Sequence, residues 1–312
     1  MELIRGLHNV RSRHRGCIAS IGNYDGVHRG HQAIVEQLLR NREKYGLPAL
    51  IITFEPHPLE YFRRTEQTRI TSLRTKLELL GKLGIERGLC LRFNEALANM
   101  SPKSFMQDLL IEGLGVKHLV VGDDFRFGKA RAGDFEVLKA YGERHGFSVE
   151  STDTYMLNGE RVSSSRVRQA LELGQLELSE RLLGRRYSIS GRVAHGDKLG
   201  RTWGFPTANI NLRHQNPPLN GIYVVEVAGL DEGSTPGVAY VGTRPTVEGT
   251  RRVLEIHLID FDRDIYGERI SVYFLEKIRA DQKFADHKAL VAQIARDKKN
   301  AQLFFQRRGK QQ

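Results

Sequence analysis

CIASIGNYDGVHRGH, residues 17–31, decides how the first half of the chain folds. CIASI is a short apolar run leading straight into glycine, which reads as a buried strand followed by a turn. Ala33, Ile34, Leu38 and Leu39 then recur at helical spacing until Tyr45-Gly46 stops the helix. Gly22 and Gly26 allow a tight turn between the two elements, and Gly30 lets a ligand come close to the backbone where the helix starts. The free N–H groups and positive end of that helix favour phosphate. His28 and His31 fall on the same lip, where imidazoles donate hydrogen bonds to phosphate oxygens. Asn23 and Asp25 shape the turn or touch the substrate.

Outward from this stretch, LPALIITF at 47–54 is a continuous apolar run, as a parallel strand covered on both faces requires. Helical spacing at 73–83, 104–114 and 134–145 alternates with strand-like runs at 88–93, 117–122 and 147–150. Such alternation predicts a Rossmann-like α/β domain, a parallel sheet with helices on both faces. Ligands bind such sheets beyond the C-terminal strand ends. TFEPHP at 53–58 places His57 there, and GDDFRFG at 122–128 places Asp124 there beside Asp123 and Arg126. RVSSSRVR at 161–168 puts Ser164 and Ser165 before a helix that opens with arginines. These serines either cap the helix or bind β- and γ-phosphates, with Arg168 neutralising charge.

The glycine motif is neither GxGxxG nor a P-loop, since no GK[ST] follows it. HRGH after a strand resembles the signature of the class I nucleotidyltransferases, which transfer AMP from ATP. In adenylyl transfer an ionised acceptor phosphate attacks the α-phosphorus and pyrophosphate leaves. Alignment and neutralisation of charge lower that barrier, so His28 and His31 are expected to act as charge stabilisers and not as covalent carriers.

The rhythm changes near residue 183. Short β-branched or aromatic runs follow, separated by Gly, Pro and Asn: YSISGRVAH, GIYVVEVAG, GVAYVG, VLEIHLIDF and ISVYFLEKI. They predict an antiparallel β-barrel with a trailing helix at 283–295, the basic tail being a further helix candidate, and with domains at 1–183 and 184–312. HGDKLGRTWGFPTANI at 195–210 is glycine-rich and basic. Gly200 and Gly204 can cradle phosphates, and Lys198 and Arg201 add positive charge. Thr207 and Asn209, one residue apart, point the same way in an extended segment and offer hard oxygens to Mg2+ or a phosphate. PTAN by itself reads more readily as a turn. Glu255 shares one strand face with Val253 and His257, opposite Leu254, Ile256 and Leu258. It is either a general base for a hydroxyl or an outward, solvated charge. His195 and Arg244 are weaker candidates.

At 312 residues, 40% of them hydrophobic, the chain holds enough apolar material for two cores. The net charge of +11 suits an anionic partner, but the basic residues are scattered through both halves. A nucleic-acid binder would cluster arginines among exposed aromatics and would leave the glycine motifs without a role, so small phosphorylated molecules are the expected partners. Cys17 and Cys90 are the only cysteines, which excludes a disulfide framework and a four-thiolate metal site. With no apolar run of about 18 residues and no secretory leader, a cytoplasmic protein without membrane contact is expected. Self-association is compatible with the sequence but not specified by it.

Taken together, GNYDGVHRGH, TFEPHP, GDDFRFG, the serines before Arg168, GRVAHGDKLGRTWGFPTANI, GIY at 221–223, VGTRPT at 241–246 and EIHLIDFDRDIYG at 255–267 resemble the bacterial bifunctional riboflavin kinase/FMN adenylyltransferase family, also called FAD synthetases. The resemblance runs from about residue 15 to 285. It implies an N-terminal nucleotidyltransferase domain and a C-terminal riboflavin kinase barrel. ATP, with Mg2+, would be the donor twice, and riboflavin, FMN and FAD would be substrates and products, with pyrophosphate released. It further implies that His28 and His31 bind and polarise the ATP phosphates with Asn23 and His57 nearby, that Asp124 helps position nucleotide or flavin, and that Ser164, Ser165 and Arg168 complete the phosphate site. In the kinase half, Thr207 and Asn209 would hold magnesium and phosphate, and Glu255 would be the base on the terminal ribityl hydroxyl. The family commonly has phenylalanine where Tyr24 stands and threonine where Ser165 stands.

Overall fold

The computed structural model describes residues 1–63, 68–195, 204–212, 215–230, 233–246 and 249–309. The chain divides into two compact units, one of Met1–Gln67 with Thr71–Ser164 and one of Thr68–Ile70 with Ser165–Gln312.

In the first unit the alternating pattern becomes a six-stranded parallel sheet. Its strands are β1 (Glu2–Arg5), β2 (Ile18–Ile21), β3 (Ala49–Glu55), β4 (Arg87–Arg92), β5 (His118–Gly122) and β6 (Ser148–Thr152). Their spatial order is β1-β4-β3-β2-β5-β6. β2 therefore lies between β3 and β5, where the strand order reverses, and the crevice beyond its C-terminal end is where such sheets bind ligands. Helix α1 (Arg29–Tyr45) starts at that point; His28 caps it and Gly46 ends it in the left-handed region. The central strands are buried on both faces. Cys17, Ala19, Leu50, Ile52, Leu119 and Val121 pack on one side, and Ile18, Ile51 and Val120 on the other with Val35 and Leu38 of α1. β1 had no signal in the sequence, because ELIR is short and half charged; it is held by parallel pairing to β4. The segment Phe105–Leu114, expected as an ordinary helix, is wound as a π-helix.

The second unit holds a closed antiparallel barrel of six strands: β9 (Ser188–Ala194), β10 (Ala208–Ile210), β11 (Gly221–Ala228), β12 (Ser234–Thr246), β13 (Gly249–Leu258) and β14 (Arg269–Arg279), after a short β7–β8 hairpin (Met156–Leu157, Glu160–Arg161) in the first unit. Ala208, Ile210, Ala239, Val241, Leu254 and Ile256 stand opposite one another across the register and fill the barrel. The PTAN segment is not a turn. Ala208–Ile210 is the strand that closes the barrel between β9 and β13.

The trailing helix starts at His287, four residues later than expected, and runs unbroken through the basic tail to Gly309; it packs on the outer barrel face through Ala301, Phe304 and Phe305 against Val224 and Val238. The division between the compact units falls after Ser164. Helices Ser164–Glu172 and Leu176–Leu183 lie almost wholly on the barrel side of that division, and the second bears on β14.

Candidate active sites

In the first unit the loop between β2 and α1 is pinned from beneath at almost every residue. The Thr53 hydroxyl donates to the Asn23 carbonyl at 3.3 Å. Asp25 is 3% exposed, and its Oδ1 accepts from Thr71 N at 3.0 Å and Thr71 Oγ1 at 3.2 Å. Thr71 Oγ1 in turn accepts from Gly26 N at 3.0 Å, and Ser164 Oγ donates to the Asp25 carbonyl at 2.9 Å. The Asp25 carboxylate thus shapes the loop. Left-handed conformations at Tyr24, Val27 and Gly26, φ 51°, 44° and 85°, fold the backbone back on itself; strain of this kind at non-glycine residues persists only where surrounding contacts over-determine it.

His28 and His31 come together at the helix start. Their rings stack with centroids 3.6 Å apart, and His28 Nδ1 accepts from His31 N at 3.3 Å. With Nδ1 as acceptor, neutral His28 carries its proton on Nε2, a donor at the anion-favouring end of a 17-residue helix. Gly30 stands against this pair: a Cβ there would lie 3.2 Å from the His28 ring. Tyr24 is buried with its ring 5.0 Å from that of His31. Its hydroxyl, the atom by which it departs from phenylalanine, bonds Ser20 Oγ at 2.6 Å, and burial holds its pKa well above the usual phenol value. A Cβ at Gly22 would meet the same ring at 3.0 Å. His57 follows the cis Glu55–Pro56 bond at the end of β3, with Nδ1 accepting from Leu59 N at 3.2 Å. Asp124, beyond β5, is exposed and ion-paired to Arg161 at 2.7 Å. Ser165 is exposed in the first turn of its helix. Arg168, in the second unit, donates from Nε to the Thr68 carbonyl at 2.9 Å.

In the second unit a cavity of about 350 Å³ lies on the outer face of the barrel, walled by β12, β13 and the C-terminal helix. Glu255 stands directly across from Asn209 on one side and Tyr240 on the other. All three face this cavity, as do Thr207 and His257. The alternation read from sequence is therefore correct, but the outward face is covered: the Glu255 side chain is only 11% exposed. Arg244 Nη2 holds its Oε2 at 2.8 Å. Asn209 Nδ2 donates to the Thr207 carbonyl at 3.3 Å. Thr207 also borders a second cavity of about 200 Å³, lined by Phe261, Asp262, Arg263 and Tyr266. Gly204 is described, with a left-handed φ of 80°; Lys198, Gly200 and Arg201 lie outside the described residues.

Several cavity residues gave no signal in the sequence. Tyr240 donates to Asp281 Oδ2 at 2.9 Å, and burial, with Asp281 adding to it, pushes its pKa up to about 12, so it stays a donor. Arg279 reaches the buried Asp297 with Nε and Nη2, joining β14 to the helix. His257 Nδ1 sits 2.9 Å from the Pro206 carbonyl, which only accepts, so the proton is on Nδ1. Its buried Nε2 has no hydrogen-bond partner among the described residues, and burial lowers its pKa. Arg244, a weaker candidate in the sequence, is the residue that holds the Glu255 carboxylate.

Two family models match the chain: FAD synthetase over residues 10–166 and riboflavin kinase over 183–305. A bifunctional riboflavin kinase/FMN adenylyltransferase of Escherichia coli strain K12 is 50% identical over 307 residues, covering 98% of both chains. The chain belongs to the bifunctional riboflavin kinase/FMN adenylyltransferase family. The Pseudomonas fluorescens relative with the same description is 48% identical, covering 95% of this chain and 96% of its own. A solved structure from Streptococcus pneumoniae, described as a macrolide-efflux protein, is 28% identical with a TM-score of 0.80 and covers 97% of this chain and 99% of its own. Among the described residues no helix is long and apolar enough to cross a membrane. The first model falls on the His28–His31 half and the second on the Glu255 half, so this family member carries both of its family's domains.

Proposed function

We propose the following division of labour in this enzyme, which phosphorylates riboflavin to FMN and then adenylylates FMN to FAD, with ATP as donor in both steps. The kinase reaction takes place on the outer barrel face. Riboflavin occupies the 350 Å³ cavity with its terminal ribityl hydroxyl at Glu255, and the nucleotide lies on the far side of Thr207, against Phe261 and Tyr266. Glu255 takes the hydroxyl proton as the oxygen attacks the γ-phosphorus, and ADP leaves. Arg244 fixes the carboxylate rotamer through Oε2. The observation that carries this reading is a glutamate screened from solvent on a cavity wall and in register with Asn209.

Magnesium fits the donor set. Among the described residues no group of three or more His, Cys, Asp or Glu is placed to hold a metal, and Mg2+ bound through substrate phosphates needs only one or two protein oxygens. Asn209 uses its amide N–H₂ on Thr207, which leaves Oδ1 as its cation-facing atom, and Thr207 supplies a hydroxyl. The ion, when bound, neutralises charge on the β- and γ-phosphates.

Adenylylation belongs to the β2–α1 loop. Gly22, Asn23, Gly30 and the N-terminal amides of α1 line the path of the triphosphate, and His28 and His31 stabilise charge at the α-phosphorus. An FMN phosphate oxygen attacks there and pyrophosphate leaves. Asp25 holds the loop, His57 stands at the neighbouring strand end, and Ser164 serves the phosphates. Asp124 positions nucleotide or flavin once Arg161 yields it. The partners are these small molecules and not nucleic acid. The cytosol suits the two buried, free cysteines.

Purified Glu255→Gln protein with riboflavin, ATP and magnesium should make no FMN, a loss of at least about 100-fold, yet convert supplied FMN to FAD at the parental rate. His31→Ala should do the reverse. Retained kinase turnover in Glu255→Gln would reject the base assignment.

A further inference from the structure

We propose that Lys76 is a positioning residue for adenylylation, holding the Asn23 segment of the β2–α1 loop in place through the hydroxyl of Thr53. Lys76 lies in helix Leu73–Lys82, on the same face as Leu80, four residues on. That face packs into the core containing Tyr24, Val27 and Ile51. An apolar side chain is what helical patterning puts at such a position, yet an ammonium stands there at 5% exposure. Lysine is almost never buried to this degree unless its charge is met.

One group that meets it is Thr53, itself fully buried in β3. Lys76 Nζ donates to Thr53 Oγ1 at 3.3 Å. An ammonium has three donors and no acceptor, so the threonine oxygen must accept from it. The single hydroxyl proton is then free to point only elsewhere, and the Asn23 carbonyl lies 3.3 Å away. The buried charge therefore sets the direction of the Thr53 hydroxyl, and the hydroxyl ties down Asn23. The very next residue, Tyr24, is held at φ 51° beside the His31 ring. Without the tie, the loop that presents His28 and His31 has one fewer constraint on its strained conformation. Lys76 touches no reacting atom in this scheme and acts through Thr53.

The inference rests on the β2–α1 loop being the adenylylation site, and the test separates the two. Steady-state FMN-to-FAD and riboflavin-to-FMN kinetics are measured on full-length Lys76→Met, Thr53→Val, Thr53→Ser, the Lys76→Met/Thr53→Val double variant and His31→Ala, with thermal unfolding alongside. Lys76→Met and Thr53→Val should each lower kcat for FAD formation about 10-fold, within the range expected of a sub-ångström to 1 Å misplacement. The double variant should be no worse than either single one, because both break the same relay. Thr53→Ser should retain near-parental kcat, and riboflavin phosphorylation should be unchanged throughout. Additive losses in the double variant, or parental FAD formation in Lys76→Met, would overturn the role of Lys76. Should Lys76→Met not fold, Thr53→Val decides alone, and parental kinetics there overturn the relay. FAD formation undiminished in His31→Ala would instead overturn the site assignment beneath it.

Discussion

Replacing Asp297 with alanine should detach the C-terminal helix from the barrel and blunt the kinase alone. Asp297 is 3% exposed and its partner Arg279 17%. Arg279 Nε lies 3.1 Å from both carboxylate oxygens, Nη2 lies 2.9 Å from Oδ2, and Gln293 Nε2 adds a fourth contact at 2.9 Å. Removing the anion leaves a guanidinium buried without its counter-charge, which costs about 3–5 kcal/mol in comparable settings. Asp297→Asn keeps the volume and one acceptor and should lose less, about 2 kcal/mol. The joint change Arg279→Met/Asp297→Leu removes both charges and should restore most of the stability. Urea unfolding followed by near-UV circular dichroism reads these differences as midpoint shifts at constant slope. Both residues also line the 350 Å³ cavity. The KM for riboflavin should therefore rise in all three variants, while FMN adenylylation keeps its parental constants. A loss under about 1 kcal/mol in Asp297→Ala, the range of exposed ion pairs, would refute the idea that this pair anchors the helix.

Gly30→Ala should separate stability from activity: alanine favours the helix by about 1 kcal/mol, but its Cβ would sit 3.2 Å from the His28 ring. FAD formation should fall at least about 10-fold in a protein no less stable to heat, and an equal loss of kinase activity would speak against the assignment. His118 bears on acid stability, because burial, aided by Lys44 and opposed by Glu150, lowers its pKa below 6.5. The native state keeps His118 neutral while the unfolded chain takes up a proton, so stability present above about pH 6.5 is lost as the pH falls below it. His118→Gln should flatten that slope between pH 7 and pH 5, as measured by denaturant titration at each pH.

Local signals were enough to read the first half of the chain almost in full. A continuous apolar run as short as LPALIITF, preceded by Gly46 and rich in β-branched residues, reads as a strand covered on both faces, and glycine followed by an amphipathic run marks a strand–turn–helix. That is why the loop at Gly22–Gly30 and the pair His28 and His31 were legible. The antiparallel barrel was legible for the same kind of reason, from the spacing of β-branched runs and turn residues. The sequence by itself could not decide whether Glu255 faced water. A period of two says which residues share a face but not what covers it, and here the cover is a helix that begins 32 residues later. Nor could any local pattern show that PTAN closes a barrel, that Asp25 is engaged by Thr71, or that a buried lysine reaches Thr53 behind the β2–α1 loop. Burial of a charge, pairing of an edge and the screening of a carboxylate depend on residues far apart in the chain, and only the folded contacts bring those partners within hydrogen-bonding reach.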